Sequence, residues 1–397
     1  MTGMLLENCG VVDVRAGTSL ADGVVLVEGE RIAAAGRRSE VEIPEAVERV
    51  DLGGAYVAPG LINCHVHFGL VLPGEEGDRL RGETDAELVL RMAENAAGTL
   101  RAGVTTVRLV AERPYVDIAL RNSIARGQAL GPRVLTAGPM LTSTGGHGWE
   151  LGSCLEADGP DGFRAATRAQ IKHGVDWVKI GVSGGIAGAN ETIADAQMTA
   201  EEILAVTEAA HARGRCVAAH AGPADVVRRA VECGVDTIEH GYFVTDEVAT
   251  LMARSGAWLV PTINVSRAVE FFRKIGAPPW MVERALAAGE LHWAALRSAI
   301  ANGVRIAMGT DMMPHEPFDG SSVTVRELEF YVEAGLTPAA ALRSATCDAA
   351  ERLGLDEVGE IRAGAAADLI VVGGDPTGDI SALRDLRRVV SRGRVVL

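Results

Sequence analysis

What most constrains this chain is an alternation. Short runs of apolar residues recur along its middle, and between them lie longer stretches rich in Ala, Glu and Arg with helical spacing. Eight such runs cover residues 58–67, 105–110, 133–137, 177–180, 216–220, 237–240, 258–263 and 305–311. An apolar run too short for a helix suits a strand buried on both faces, and strands that alternate with helices pair in parallel. Several runs follow a Gly-Val pair, at Gly103, Gly174, Gly234 and Gly303, where a helix ends on glycine and a buried strand begins. Eight βα units predict an α/β fold of the (β/α)8 type, a TIM barrel. A doubly wound open sheet is the alternative, but the chain lacks the GxGxxG turn that such sheets use for dinucleotides.

The two ends read differently. Residues 1–57 carry short alternating strands broken at Asp22-Gly23 and Glu28-Gly29, and residues 359–397 repeat that texture on either side of Asp375-Pro376. Both ends are therefore predicted to share one small β-sandwich domain, with the barrel spanning 58–358.

Composition narrows the partners. With 48% hydrophobic and 23% charged residues among 397, the chain belongs with globular proteins that bury a sizeable core. A formal net charge of -15 repels phosphate backbones and anionic lipid, so neither nucleic acid nor a membrane surface is an expected partner. A small-molecule substrate is expected instead, with a homo-oligomer as the plausible assembly. No stretch approaches the roughly 20 apolar residues of a membrane span. The first residues lack a basic segment followed by an apolar core, so the expected location is cytoplasmic. Six cysteines form no CxxC pair and read as small buried residues.

In a (β/α)8 barrel the active site forms where the strands end, so the residues closing each run matter most. The first run closes on His65 and His67, two apart and hence on one side of a strand. The fourth carries Lys179, the fifth ends at His220, the sixth at His240 and the eighth at Asp311. Each has a plain alternative taken alone: hydrogen-bonded histidines in a core, a helix cap at Asp311, a lysine paired with an acid. The conjunction decides, because buried polar groups cost a few kcal/mol each unless paired, and packing alone has no use for five such strand ends. Imidazole and carboxylate donors without thiolate suit Zn²⁺, with Mn, Fe, Co or Ni as alternatives. Lys179 is one of three lysines among 38 basic residues. An ammonium beside two dications is electrostatically untenable, so a neutral amine is required, which CO2 can convert to a carbamate that bridges two metals. His147, in a Gly-rich loop, and Tyr242, two residues past His240, are candidate substrate contacts. Arg267, with Asn264 and Arg273 nearby, is a candidate carboxylate clamp. His315 is a weaker candidate, and His173, His211 and His292 read as surface residues on helices.

The motifs now support a resemblance. Residues 58–67 (APGLINCHVH), Gly103-Val-Thr-Thr-Val107, Gly145-Gly-His-Gly148, Val178-Lys-Ile180, Ala219-His-Ala221, Ile238-Glu-His-Gly241, Gly309-Thr-Asp311 and the segment 359–371 resemble the amidohydrolase superfamily across nearly the whole chain. Within it, the sequence is similar to the prolidase-like and arginine-carboxypeptidase-like branch. The resemblance implies that His65, His67 and Asp311 hold one divalent ion and His220 and His240 a second, with carboxylated Lys179 between them. It also implies a metal-bound hydroxide as nucleophile and Asp311 as the base that then serves as acid. One departure stands out: relatives often end the second strand in Val-Arg-Asp, where this chain has Leu109.

The expected activity is hydrolysis of an amide-type C–N bond, in a dipeptide or an N-acyl amino acid. A carbamate, urea, lactone or phosphoester is the neighbouring alternative, since the same nucleophile attacks any electrophile set before it. A metal-binding barrel without catalysis is the alternative of another class.

Overall fold

A computed structural model describes residues 3–397. The chain folds as an α/β protein in which the apolar runs become parallel strands. Leu61–Val66, Val104–Leu109 and Arg133–Thr136 form one parallel sheet. Trp177–Gly181, Cys216–Ala221, Thr237–His240 and Trp258–Val260 follow in a second. The side chains along these strands are buried almost throughout, as the continuous apolar runs require.

Hydrogen bonds continue past the strand ends. Segment 305–311 is not a regular strand, but it is bonded on both sides. Leu259 N–H donates to Arg305 O (2.9 Å) and Ala307 N–H to Leu259 O (3.0 Å), while Cys64 N–H donates to Met308 O (2.7 Å) and Thr310 N–H to His65 O (3.1 Å). Between the two sheets, Asp176 N–H donates to Thr136 O at 2.8 Å. Helices such as Asp85–Arg101, Ala200–His211 and Pro279–Ala301 cover the outside. Two of them begin with a capping box, Thr84 with Glu87 and Thr199 with Glu202, which satisfies first-turn N–H groups.

Three sequence expectations shift. The run at 58–67 is broken at Gly60: Tyr56–Pro59 joins the terminal sheet and Leu61–Val66 starts the parallel one. Gly60 permits the turn because a Cβ there would meet Thr105 Oγ1 at 2.2 Å. The run at 258–263 stops being a strand at Val260, and Ile263–Ser266 forms a 3-10 turn held by the Glu327 carboxylate. The loop after the third strand also adds two short strands, Met140–Thr142 and Cys154–Glu156.

Both chain ends do share a sheet. Gly3–Asp13, Thr18–Glu28, Arg31–Arg37, Val47–Asp51 and Tyr56–Pro59 join Leu369–Val372, Leu386–Ser391 and Arg394–Val395 in one eight-stranded sheet. Hydrogen bonds link all eight into that one sheet. The alternation is clear on Leu369–Val372: Leu369 and Val371 face the sheet's own core, with Leu6, Val25 and Val27, whereas Ile370 and Val372 pack on the helical layer beside Leu100 and Val104. Of the six cysteines, all free, Cys9, Cys64 and Cys347 are buried and the others are half-buried.

Candidate active site

The strand ends meet in one cavity. It opens to solvent and is lined by His65, His67, Lys179, His220, His240 and Asp311 together. The backbone at this rim turns sharply. His240 (φ 68°) and Asp311 (φ 55°) occupy the left-handed region that residues with a Cβ seldom adopt, a conformation that persists only where the surroundings hold it. At Asp311 the holding is visible: its N–H, like that of Thr310, donates to His65 O, and Asn63 bonds the Thr310 hydroxyl at 2.8 Å.

His65 and His67 point the same way, and both reach Asp311. Their Nε2 atoms lie 3.3 and 2.9 Å from its Oδ1. One potential donor atom each from His65, His240 and Asp311 falls within 4.8 Å of the others, a spacing suited to a common cation. His220 stands beside His240 with ring centroids 4.6 Å apart, its Nε2 3.1 Å from Gly184 O. Burial, together with nearby positive groups, pushes the His220 and His240 pKa values well below their ordinary range, so both rings stay neutral and keep a lone pair for a metal. Burial opposes the charge on Asp311, but the neighbouring His65 and His67 outweigh it and hold the carboxyl well below the usual range.

Lys179 is the exceptional member. Its Nζ is buried with no hydrogen-bond partner, a costly condition for an ammonium. Burial pushes its pKa down to about 8, with Arg108 adding to the effect and Glu239 opposing it. His67 Nδ1 is likewise buried and unpartnered. Two orphaned nitrogens among neutral imidazoles and one carboxylate fit divalent metals better than they fit a packed core.

Two residues behind the floor were not singled out by sequence reasoning. Glu239 Oε2 accepts from His65 Nδ1 at 2.6 Å, and Glu239 Oε1 accepts from Arg108 at 2.8 Å. Arg108 also donates to Cys64 O at 2.6 Å. Both side chains are wholly buried. A carboxylate on Nδ1 fixes the tautomer that leaves Nε2 free for a metal, so the pair orients His65. The available signals were Glu239 immediately before His240 and Arg108 inside an apolar strand, where a charge needs a partner.

The candidate substrate contacts divide. His147 and Tyr242 line the cavity. His147 stacks on His220 at 4.1 Å and its Nδ1 is bonded to Glu191 at 2.5 Å, while Tyr242 stacks on His240 at 5.1 Å. Arg267 does not reach the cavity. Its guanidinium lies over the Trp293 ring at 4.6 Å, held by aromatic packing, and so cannot clamp a carboxylate there. Arg273 is exposed and paired with Glu270, and Asn264 is buried, its amide donating to Val323 O. His315 packs beside Gly98 and Thr99, away from the cavity lining. His292, expected on the surface, is buried: its ring bonds Ser266 and Pro261 O and meets Tyr242 edge-on at 4.6 Å. His173 and His211 are exposed.

A sheet whose strand ends converge histidines, a buried lysine and an aspartate is the arrangement of a hydrolase active site. The amidohydrolase family profile matches residues 56–396, and this chain belongs to that family. Among its relatives, ochratoxinase from Aspergillus niger is 29% identical, covering 94% of this chain and 82% of that one. A prolidase solved with N-methylphosphonate-L-proline superposes with a TM-score of 0.89 at 31% identity, covering 99% of each chain. A Xaa-Pro dipeptidase with bound methionine gives 0.88 at 30% identity, again over 99% of each. The protein is thus an amidohydrolase-family hydrolase. Among the described residues, no helix is long and apolar enough to cross a membrane.

Proposed function

We propose that this enzyme hydrolyses an amide-type C–N bond with two divalent metal ions, most simply Zn²⁺, in the mouth of a closed (β/α)8 barrel. The observation that carries the proposal is Lys179: a buried, unpartnered amine among neutral imidazoles. As a carbamate it would bridge the ions, with His65, His67 and Asp311 on one side and His220 and His240 on the other. When bound, the metals would lower the pKa of water toward 7 and polarise the scissile carbonyl. Asp311 takes a proton from the attacking water and delivers it to the departing nitrogen, so that a poor leaving group departs as a neutral amine. Tyr242 and His147, on the cavity wall, supply hydrogen bonds to the carbonyl oxygen or to substrate. The dipeptidase and ochratoxinase neighbours, whose names denote amide-cleaving enzymes in the case of the dipeptidases, favour a dipeptide or an N-acyl amino acid over the carbamate, lactone and phosphoester alternatives.

The test is a panel of dipeptides, N-acyl amino acids, carbamates, lactones and phosphotriesters assayed with added Zn, Mn or Co. Amide turnover that a chelator abolishes and added metal restores is the expected result. Undiminished turnover after chelation overturns the metal assignment, and turnover confined to phosphotriesters or lactones overturns the bond assignment.

A further inference from the structure

The walls of the cavity are chemically unlike its floor. Apart from the six floor residues, the polar side chains lining it are His147, Ser153 and Tyr242; the remainder is apolar. Leu72, Ile186, Phe271, Phe272, Met281 and Met312 come from separate loops and helices to form this lining. No arginine lines it, and no acid other than Asp311.

Charged groups in the surrounding loops and helices are engaged elsewhere. Arg284 is bonded to the carbonyls of Gly185, Ile186 and Gly188, which turns it to the back of the loop. Glu191 is bonded to His147 and Gln197. In the recess beside the cavity, Arg81 is paired with Asp78, Arg113 with Asp85 and Glu83 O, and Glu150 accepts from Ala189 N–H and the Asn190 amide. A charged substituent held against the walls would lose water and find no counter-ion there, whereas an aromatic or branched aliphatic one would gain from burial.

We infer that the chamber selects substrates in which one substituent of the scissile amide is bulky, uncharged and apolar, and rejects those carrying a guanidinium, ammonium or second carboxylate there. The inference rests on the amide-hydrolase reading for the bond itself, but the chamber's preference is a property of Phe271, Phe272, Leu72 and their neighbours. It separates this enzyme from any relative that takes an arginine side chain, for which an acid on the wall would be needed.

Two matched series test it on the metal-loaded enzyme. N-acetyl-phenylalanine, -leucine and -methionine are set against N-acetyl-arginine, -lysine and -aspartate, and benzoyl against succinyl on a constant 4-nitroanilide. The apolar members should exceed the charged ones in kcat/KM by roughly 100-fold in at least one series. In Phe271→Asp or Leu72→Asp, both half-buried positions, the gap for guanidinium substrates should narrow at least tenfold, with unchanged circular dichroism. Equal or better turnover of the charged members in both series overturns the inference. Calorimetric binding of phenylalanine amide and arginine amide separates the two proposals. Selective binding of the aromatic amide without turnover of any amide overturns the hydrolase reading alone, and equal binding of both amides overturns the apolar selectivity.

Discussion

The floor of the cavity stands on strand ends and the walls on loops and helices, and their chemistry is opposite. On the floor, His65, Lys179, His220 and His240 are polar groups buried at 4% exposure or less, the three histidines each bonded to or stacked on a neighbour and Lys179 Nζ without a hydrogen-bond partner. On the walls, Leu72 and Phe271 are apolar and only half-buried. The difference teaches how the work is divided. Strands hold a reactive group in place because hydrogen bonds on both sides fix their backbone, whereas loops can change what surrounds that group without disturbing it.

The sharpest way to break the comparison is at Asp311. Asp311→Asn keeps the shape of the side chain while removing its capacity to carry a proton. We expect kcat/KM to fall by about 10⁴-fold, toward the upper end for loss of a general acid–base group. Circular dichroism should be unchanged. A loss below tenfold would show that Asp311 serves only to hold the floor together.

Behind the floor, Arg108 and Glu239 form a buried ion pair, and removing one member leaves the other uncompensated. Arg108→Met should cost about 3–5 kcal/mol of stability, measured by denaturant unfolding. Glu239→Gln, which retains bulk and frees His65 Nδ1, should lower metal affinity about 10–100-fold. If Arg108→Met unfolds at the parent's midpoint, the strand ends are fixed by backbone bonding alone, and the pair contributes nothing to it.

These residues also show what was legible in the sequence. His65, His67, His220, His240 and Asp311 were readable because polar residues closing apolar runs are conspicuous, and the position of the run fixes where each side chain emerges. Glu239 was visible but lacked a partner until Arg108, 131 residues away in sequence, was seen to meet it. His292 was misread because an isolated histidine on a helical pattern carries no sign of which face it occupies, and Ser266 and Pro261 supply its partners only in three dimensions. Segment 305–311 was read as a strand, but its bonding to Leu259 and Cys64 is too irregular to form one, and only Ile306 makes a bridge, to Leu259. The wall was illegible altogether. Leu72, Ile186, Phe271 and Met281 are far apart in the sequence and share no spacing that could announce a common chamber.

A smaller effect separates the walls' support from the floor. Glu327 is buried where its carboxylate receives the N–H groups of Ile263 and Asn264, and burial pushes its pKa up to about 8. A carboxyl raised above its unfolded value of about 4.3 binds its proton more tightly in the folded state. Its contribution is fully present below that unfolded value and is lost as pH rises through about 8. Parent stability should therefore decline between pH 6.5 and 8.5 by on the order of 2 kcal/mol more than that of Glu327→Gln. Parallel pH profiles would mean that the two backbone donors keep Glu327 ionised throughout.

The smallest expected effect concerns Arg267, which would belong to the walls had it been a carboxylate clamp. It lies over Trp293 and, at 5.5 Å, over Phe330, and its Nε is buried without a partner. That geometry makes it a packing residue beneath the loop that carries Val265 to the cavity. Arg267→Met preserves most of the buried length and removes the cation, so it should cost about 1 kcal/mol of stability. Its kcat/KM for N-acyl amino acids should stay within about twofold of the parent, because a group that does not contact substrate changes neither binding nor the transition state. A KM raised about 100-fold for carboxylate-bearing substrates alone, with neutral amides unaffected, would require segment 264–274 to swing its guanidinium off the Trp293 ring when substrate arrives. The chamber would then be apolar only at rest, and the contrast between a fixed polar floor and an apolar wall would hold for the free enzyme and fail for the complex.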